Sequence, residues 1–260
     1  MIRAIFTRVI MSEVVSFSKR IRDVSEHEKS ECFRLLSSQF LDIRREDFER
    51  DLAEKHAILF LAAHGAIVGF STIMTLPLPV AGRRTIAIFS GDTAVDPRYR
   101  FSSGPLRELG AYFLRTLDEF HGCDVWYILI SKGWRTYKLL PSLFRSYWPS
   151  PEPTPAAERA VIDAFGASKY PHAYDAAAGT IRAGAGAPRL RPESIDVAPA
   201  KLDPATAFFL RANPRYLDGD ELVCAGRVTP ANFAAPLRRI LSTFDADLDR
   251  LDSLGAPIAS

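Results

Sequence analysis

Residues 124–130, DVWYILI, are apolar at nearly every position, and this run limits the fold more than any other. A strand with one wet face alternates apolar and polar side chains, whereas one without alternation is covered on both faces. A second strand-like run, TIAIFSGDTAV, lies upstream at 85–95. Between the two, Leu106, Leu109, Gly110, Phe113, Leu114, Leu117 and Phe120 recur at helical spacing. Strand, loop, helix and strand in that order predict a parallel pair joined by a right-handed crossover.

The segments around this unit are legible from local chemistry. Residues 17–22 alternate as a short strand, and Ser25 followed by Glu28 is a capping box that starts a helix. A charged helix follows over REDFERDLAEK. HAILFLAAHGAIVGFSTIMTL reads as two strands turning at His64-Gly65. SKGWRTYKLLPSLFRSYW carries helical periodicity up to Trp148, with a kink at Pro141. Prolines at 149, 151, 153 and 155 mark a boundary, and AAERAVIDAFGASKY resumes as a helix. GTIRAG and ELVCAG are short strands, with PATAFFLRANP a helix between them and PANFAAPLRRILSTF closing the chain. These elements divide the chain into an arm (1–16), a core (17–150), an extension that completes the sheet with inserted helices (151–246) and a flexible tail (247–260).

Composition excludes several classes. A net charge of +2 gives no general attraction to nucleic acid, and the longest apolar run is far short of a membrane span. The three cysteines lie far apart and the five histidines show no ligand spacing, so neither a disulfide framework nor a metal site is expected. The reading is a cytoplasmic protein.

The stretch VDPRYRFSSGPLREL, 95–109, joins the second of these strands to its helix. Free N–H groups and the dipole make a helix start an anion site. Here Ser102, Ser103 and Gly104 would let a phosphate approach the backbone, and Arg98 and Arg100 would add charge-assisted contacts. The plainer alternative is that Ser102 or Ser103 caps a helix with Pro105 in its first turn.

The pattern Val95-x-Pro97-x-Tyr99-Arg100, with this order of elements, resembles the GNAT superfamily of acyl-CoA N-acyltransferases over roughly residues 17–150. There the pattern leads into R/Q-x-x-G-x-G/A, whose amides hold the pyrophosphate of coenzyme A. Aligned here, Arg100 takes the first position, Ser103 the first glycine and Pro105 the second, so two signature positions depart from the motif. The resemblance implies an α/β (α+β) fold: a mixed, mostly antiparallel sheet with a splayed parallel strand pair and helices on both faces. It also implies acyl-CoA as co-substrate, held by Val95, Arg98, Arg100, Ser102, Ser103, Gly104 and Leu106.

Acyl transfer to an amine needs a base for the amine and an acid for the leaving thiolate. In the family a tyrosine early in the helix after the fifth strand is near the thiol, which implies Tyr137 as general acid. A carboxylate on the fourth strand often serves as base, which implies Asp92. Asp92 is unusual in an apolar strand, and burial would raise its pKa. Equally, Ser90-Gly91-Asp92 could form a β-bulge with Asp92 bonded to nearby backbone N–H groups. Ser90, Ser131, Lys132 and Trp134 are the candidate substrate-binding residues, and Tyr147 and Trp148 are further aromatic candidates for an acyl channel.

The expected function is N-acyl transfer from an acyl-CoA, or from an acyl carrier protein thioester, to a small-molecule or peptide amine. The extra length is like that of family branches handling long acyl chains, and Arg83, Arg84, Arg98, Arg100 and Arg107 would suit an acidic carrier surface. The alternative is a non-catalytic GNAT-shaped module that binds an acyl thioester or a protein partner. Oligomeric state stays open.

Overall fold

The computed structural model describes residues 14–100, 102–195 and 202–244. Residues 1–13 of the expected arm (1–16) and the whole of the expected tail (247–260) lie outside these residues.

The first layer begins with β1 (Val15–Arg20) and α1 (Glu26–Gln39). The capping box forms: Ser25 accepts from the Glu28 N–H at 3.3 Å, and Glu28 accepts from the Ser25 N–H at 2.8 Å. The two-residue β2 (Phe40–Leu41) and α2 (Arg45–Ala53) follow. β3 (Ala57–Ala63) and β4 (Ala66–Leu78) are joined by His64 and Gly65, both at positive φ (53° and 76°), the two-residue turn that matches strand twist. β5 (Thr85–Val95), α3 (Gly104–Glu119) and β6 (Asp124–Ser131) form the expected parallel unit.

Downstream lie α4 (Trp134–Tyr137), α5 (Leu140–Leu143), α6 (Ala156–Lys169), β7 (Tyr174–Asp175), β8 (Thr180–Ile181) and β9 (Arg189–Leu190). α7 (Pro204–Ala212), β10 (Glu221–Arg227) and α8 (Ala235–Leu241) complete the described chain. The large sheet has the order β1-β3-β4-β5-β6-β10-β8-β7, with β2 and β9 paired separately. Among the described residues every pairing in it is antiparallel except β5–β6.

β6 explains its own composition. Val125, Tyr127 and Leu129 pack with α3 and α8 on one face, and Trp126 and Ile128 pack with α6 on the other. α1 and α2 cover the second face beside β3 and β4 through Cys32, Leu35, Phe48 and Leu52. The sheet is thus mixed, mostly antiparallel and helix-covered on both faces.

One expectation is corrected. Helical periodicity does not run to Trp148: after α4 and α5 the chain is extended, with Phe144 bridging Phe233 and Trp148 bridging Ala225. β8 pairs with β10 only at Glu221 and Leu222, so the β10 edge beyond is open. The Trp148 N–H and C=O take that edge at Ala225, at 2.8 and 2.6 Å. Backbone groups seeking partners override a helical side-chain pattern here.

Candidate active site

The parallel pairing of β5 with β6 runs from Thr85–Asp124 to Ser90–Leu129 and goes no further. At that point the β4–β5 register shifts, from Ile73 opposite Ser90 to Ser71 opposite Thr93. Gly91 and Asp92 together therefore face Thr72. This is a β-bulge, and the extra residue bends β5 away and re-aims its side chains. Gly91 is required by close approach: a Cβ there would lie 2.7 Å from Thr72 Oγ1 and 2.9 Å from Lys55 Cε.

Asp92 stands on the bulge, partly buried, with no hydrogen bond or ion pair among the described residues. Burial pushes its carboxyl up to about 6, Asp51 and Glu221 push the same way, and Lys55 and Lys132 oppose them. The neighbouring charges are already matched, Lys55 with Asp51 at 2.7 Å and Lys132 with Glu221 at 3.2 Å. Asp92 is left as the acid without a cation. Of the two sequence readings the bulge is present, but the bonds from Asp92 to backbone N–H groups are not.

Two cavities share wall residues close to it. A polar cleft of about 520 Å³ lies between α2 and β5, with Asp92, Asp51, Lys55, Lys132 and Glu221 in its walls. An apolar pocket of about 80 Å³ lies on the α3 side, bounded by Leu59, Leu106, Leu109 and Tyr127. Thr93, Leu129 and Thr136 line both. These three residues form a wall common to the two cavities beside the end of the β5–β6 pairing.

The helix start is less open than its sequence suggests. Arg98 is held by Asp96 through contacts of 3.1 and 2.7 Å, and Ser102 Oγ accepts the Gly104 N–H at 3.2 Å. Ser103 is the N-cap without a side-chain cap bond, and Pro105 has no N–H. The N–H groups of Ser103 and Leu106 have no partner among the described residues, and Arg100 makes no ion pair there. Gly104 has a packing reason of its own, since a Cβ would lie 2.7 Å from Leu61 Cδ1 and 3.1 Å from Ser16 Cβ. Val95 turns its carbonyl to Gln39 Nε2 at 3.1 Å.

Tyr137 departs from its expected role. It is fully buried, its hydroxyl donates to the Pro149 carbonyl at 2.7 Å, and its ring packs on Phe208 and Phe209. It lines neither cavity, and burial pushes its phenol well above the ordinary range. A phenol walled in by aromatic rings and bonded to a backbone carbonyl anchors α4. We expect Tyr137→Phe to keep turnover while costing about 1–2 kcal/mol of stability, read by denaturant unfolding, because the Pro149 carbonyl loses its donor. A loss of rate beyond tenfold would restore the acid role.

The remaining candidates separate clearly. Ser90 is buried and bonded to Ser71 Oγ at 2.8 Å; Ser131 Oγ donates to the Gly133 carbonyl at 2.8 Å and shapes the turn into α4. Lys132 lines the polar cleft. Trp134 and Tyr147 pack against the α3-side core and Trp148 against Trp126, and none of the three lines either of these two cavities. The five arginines do not form one surface. Arg83 and Arg84 precede β5 and the others follow it, an 11-residue strand apart, or about 36 Å. Arg83 also contacts Asp124, and Arg107 lies over Phe244.

Lys55, Thr93, Leu129, Thr136 and Tyr127 were not singled out by sequence. Lys55 looks like an ordinary helix-end lysine, and only the fold brings it under Gly91 with a side chain 1% exposed.

No protein-family model matches the chain, and no curated protein matches it. Among solved structures it is similar to a GCN5-related N-acetyltransferase from Kribbella flavida, at 19% identity and a TM-score of 0.38, covering 52% of this chain and 34% of that one. It is also similar to the ribosomal-protein-S18-alanine N-acetyltransferase from Escherichia coli, at 12% identity and 0.35, covering 54% and 85%. An acyl-CoA N-acyltransferase from Pseudomonas aeruginosa is matched at 13% identity and 0.33, covering 45% and 79%. The chain spans 34% of the length of the Kribbella protein and 38% of an Enterococcus faecalis protein also matched. At these values the likenesses carry no weight on activity.

The class is defined by the molecule's own sheet: a mixed α/β protein in which one parallel pair among the described residues, β5–β6, ends where β5 bulges. That is the GNAT-type arrangement implied by the sequence resemblance.

Proposed function

We propose that the chain is an N-acyltransferase that moves an acyl group directly from a thioester to an amine, with acyl-CoA as donor. The observation that carries this reading is Asp92, a carboxyl raised to about 6 and without a hydrogen-bond or ion-pair partner among the described residues, on a bulge in the wall of a polar cleft that shares Thr93, Leu129 and Thr136 with an apolar pocket.

The amine enters by the polar cleft, where Asp92 offers the uncommitted negative charge. A base with a pKa near the working pH combines availability with proton affinity. The thioester lies in the gap at Thr93, Leu129 and Thr136. The amine nitrogen attacks the thioester carbonyl carbon, forming the C–N bond, and its proton passes to Asp92. The C–S bond breaks, and the thiolate leaves with its electron pair and takes up a proton. Beyond Ser90 the β5 edge no longer pairs with β6, so its backbone is available to the amides of an extended donor arm. The Ser103 and Leu106 N–H groups and Arg100 support a phosphate at the start of α3.

The separation of the arginines weakens the case for a carrier-protein donor. A non-catalytic module remains the second reading, favoured by Pro105 and by the Ser102–Gly104 bond, which leave the phosphate few donors. Incubation of the protein with acetyl- and butyryl-CoA and a panel of amines, read by mass spectrometry for new amides, is expected to give N-acyl products. Donor binding by calorimetry without any amide formed would establish the binding module instead.

A further inference from the structure

The walls of the polar cleft are charged, yet most of the charge cancels within them. Lys55 pairs with Asp51 at 2.7 Å, Lys132 with Glu221 at 3.2 Å, and Asp42 with Arg189 at 2.9 Å. Two places are left over. Asp92 is the acid without a cation. At the other place Arg44 and Arg50, both lining the cleft, share one carboxylate. Arg44 Nε donates to Asp47 Oδ2 at 2.7 Å, and Arg50 donates to Oδ1 of the same residue. Glu46, the neighbouring acid, does not line the cleft. Two guanidinium groups on one carboxylate leave a positive charge and several N–H donors uncommitted. Both side chains are 70% exposed, so these donors lie at the mouth.

Spacing narrows the occupant. Asp47 and Asp51 are four residues apart on α2, about 6 Å along the axis. Asp51 acts on the charge of Asp92, which sets Asp92 toward the Asp51 end. The two uncommitted charges are thus about one helical turn apart or more, which takes roughly four bonds of about 1.5 Å each to bridge. The remaining lining includes Leu36, Ile43, Phe48, Phe89 and Ile130. Such walls suit methylene groups better than a peptide amide left without hydrogen bonds.

Resting on the transfer reading, we infer that the acceptor is an ω-amino acid, its amine held at Asp92 and its carboxylate at Arg44 and Arg50, with roughly four or more bonds between the two.

Calorimetry on the wild-type chain, with and without coenzyme A, tests this without turnover by comparing 6-aminohexanoate, hexylamine, 1,6-diaminohexane, glycine and glycylglycine. 6-Aminohexanoate is expected to bind about fivefold more tightly than hexylamine, the value of a charge-assisted contact at an exposed rim. The diamine, glycine and glycylglycine bind less tightly than 6-aminohexanoate. With Arg44→Glu and Arg50→Glu together, 6-aminohexanoate and the diamine exchange places. Should that variant fail to fold, Arg44→Gln with Arg50→Gln is expected to bring 6-aminohexanoate and hexylamine to equal affinity. Hexylamine, glycine or the diamine binding as tightly as 6-aminohexanoate, a ranking that survives the arginine substitutions, or no binding at all would each overturn the inference. Tighter glycylglycine binding would overturn it in favour of a peptide acceptor. The expected ranking without amide formation would uphold the cleft's specificity and overturn the transfer reading; amides formed with hexylamine as readily as with 6-aminohexanoate would do the reverse.

Discussion

Asp92→Asn is expected to lower kcat/KM for amide formation by roughly 10²- to 10⁴-fold, the range for removing a positioned base. The pH profile gives the more specific signature. With a carboxyl held up at about 6, wild-type kcat/KM rises with pH through that value and then levels off. The asparagine variant has no such inflection. Lys55→Met removes a cation that holds the Asp92 carboxyl down, so its inflection moves to higher pH. An inflection near 6 that persists in Asp92→Asn, or that is unmoved by Lys55→Met, would exclude Asp92 as the titrating base.

The same substitution moves stability in the opposite direction from rate. The folded carboxyl titrates near 6 and the unfolded one near 3.8, so the folded state holds its proton more tightly. Relative stability is therefore greatest below the unfolded value and is lost as pH rises through about 6. Above that, wild type carries an ionised carboxylate in a partly buried site and the asparagine variant does not. We expect Asp92→Asn to unfold at higher temperature than wild type at pH 8, and the difference to vanish near pH 3. A shift of about two units corresponds to at most about 3 kcal/mol, less what the solvent-facing side of the carboxylate recovers. A catalytic group kept at a cost to stability behaves this way; a structural one would not.

Gly226→Ala is expected to cost about 2–3 kcal/mol, lowering Tm by roughly 4–12 °C for a chain of this size. The added Cβ would lie 2.4 Å from Phe144 Cδ2 and 2.7 Å from Cε2. The ring cannot retreat, because Phe113, Tyr127 and Phe233 surround it with centroids 5.9 to 6.4 Å away. Nor can the strand yield, since β10 pairs with β6 through Gly226–Tyr127. Phe144→Leu in the same chain should recover part of the loss, because the smaller side chain vacates the space. Thermal unfolding of the single and double variants checks this, and additive losses would show that the two sites do not clash.

The parallel unit, the capping box at Ser25, the His64-Gly65 turn and the bulge around Gly91 were legible because each is written in neighbouring residues. A two-residue turn needs positive φ at adjacent positions, and a helix start needs a side-chain acceptor at a fixed offset. Asp92 could be picked out because a carboxylate in an apolar strand is conspicuous. The burial of Tyr137 and its bond to the Pro149 carbonyl were not legible for a related reason: helical position says where a side chain begins, but not which groups surround its tip. The end of the helical pattern at Leu143 was equally hidden, because the competing partner, the open edge of β10, lies about 80 residues away.

What the sequence determined by itself was the alternation of strands and helices and the placement of one acid in an apolar strand, since both follow from side-chain period and local hydrogen bonding. Only the tertiary structure decided that Lys55 is buried under the bulge, that Tyr127 is fully buried beside a small apolar pocket, and that Thr93, Leu129 and Thr136 line two cavities at once. Those depend on which distant surfaces are pressed together when β5 leaves β6, and no run of neighbouring residues carries that information.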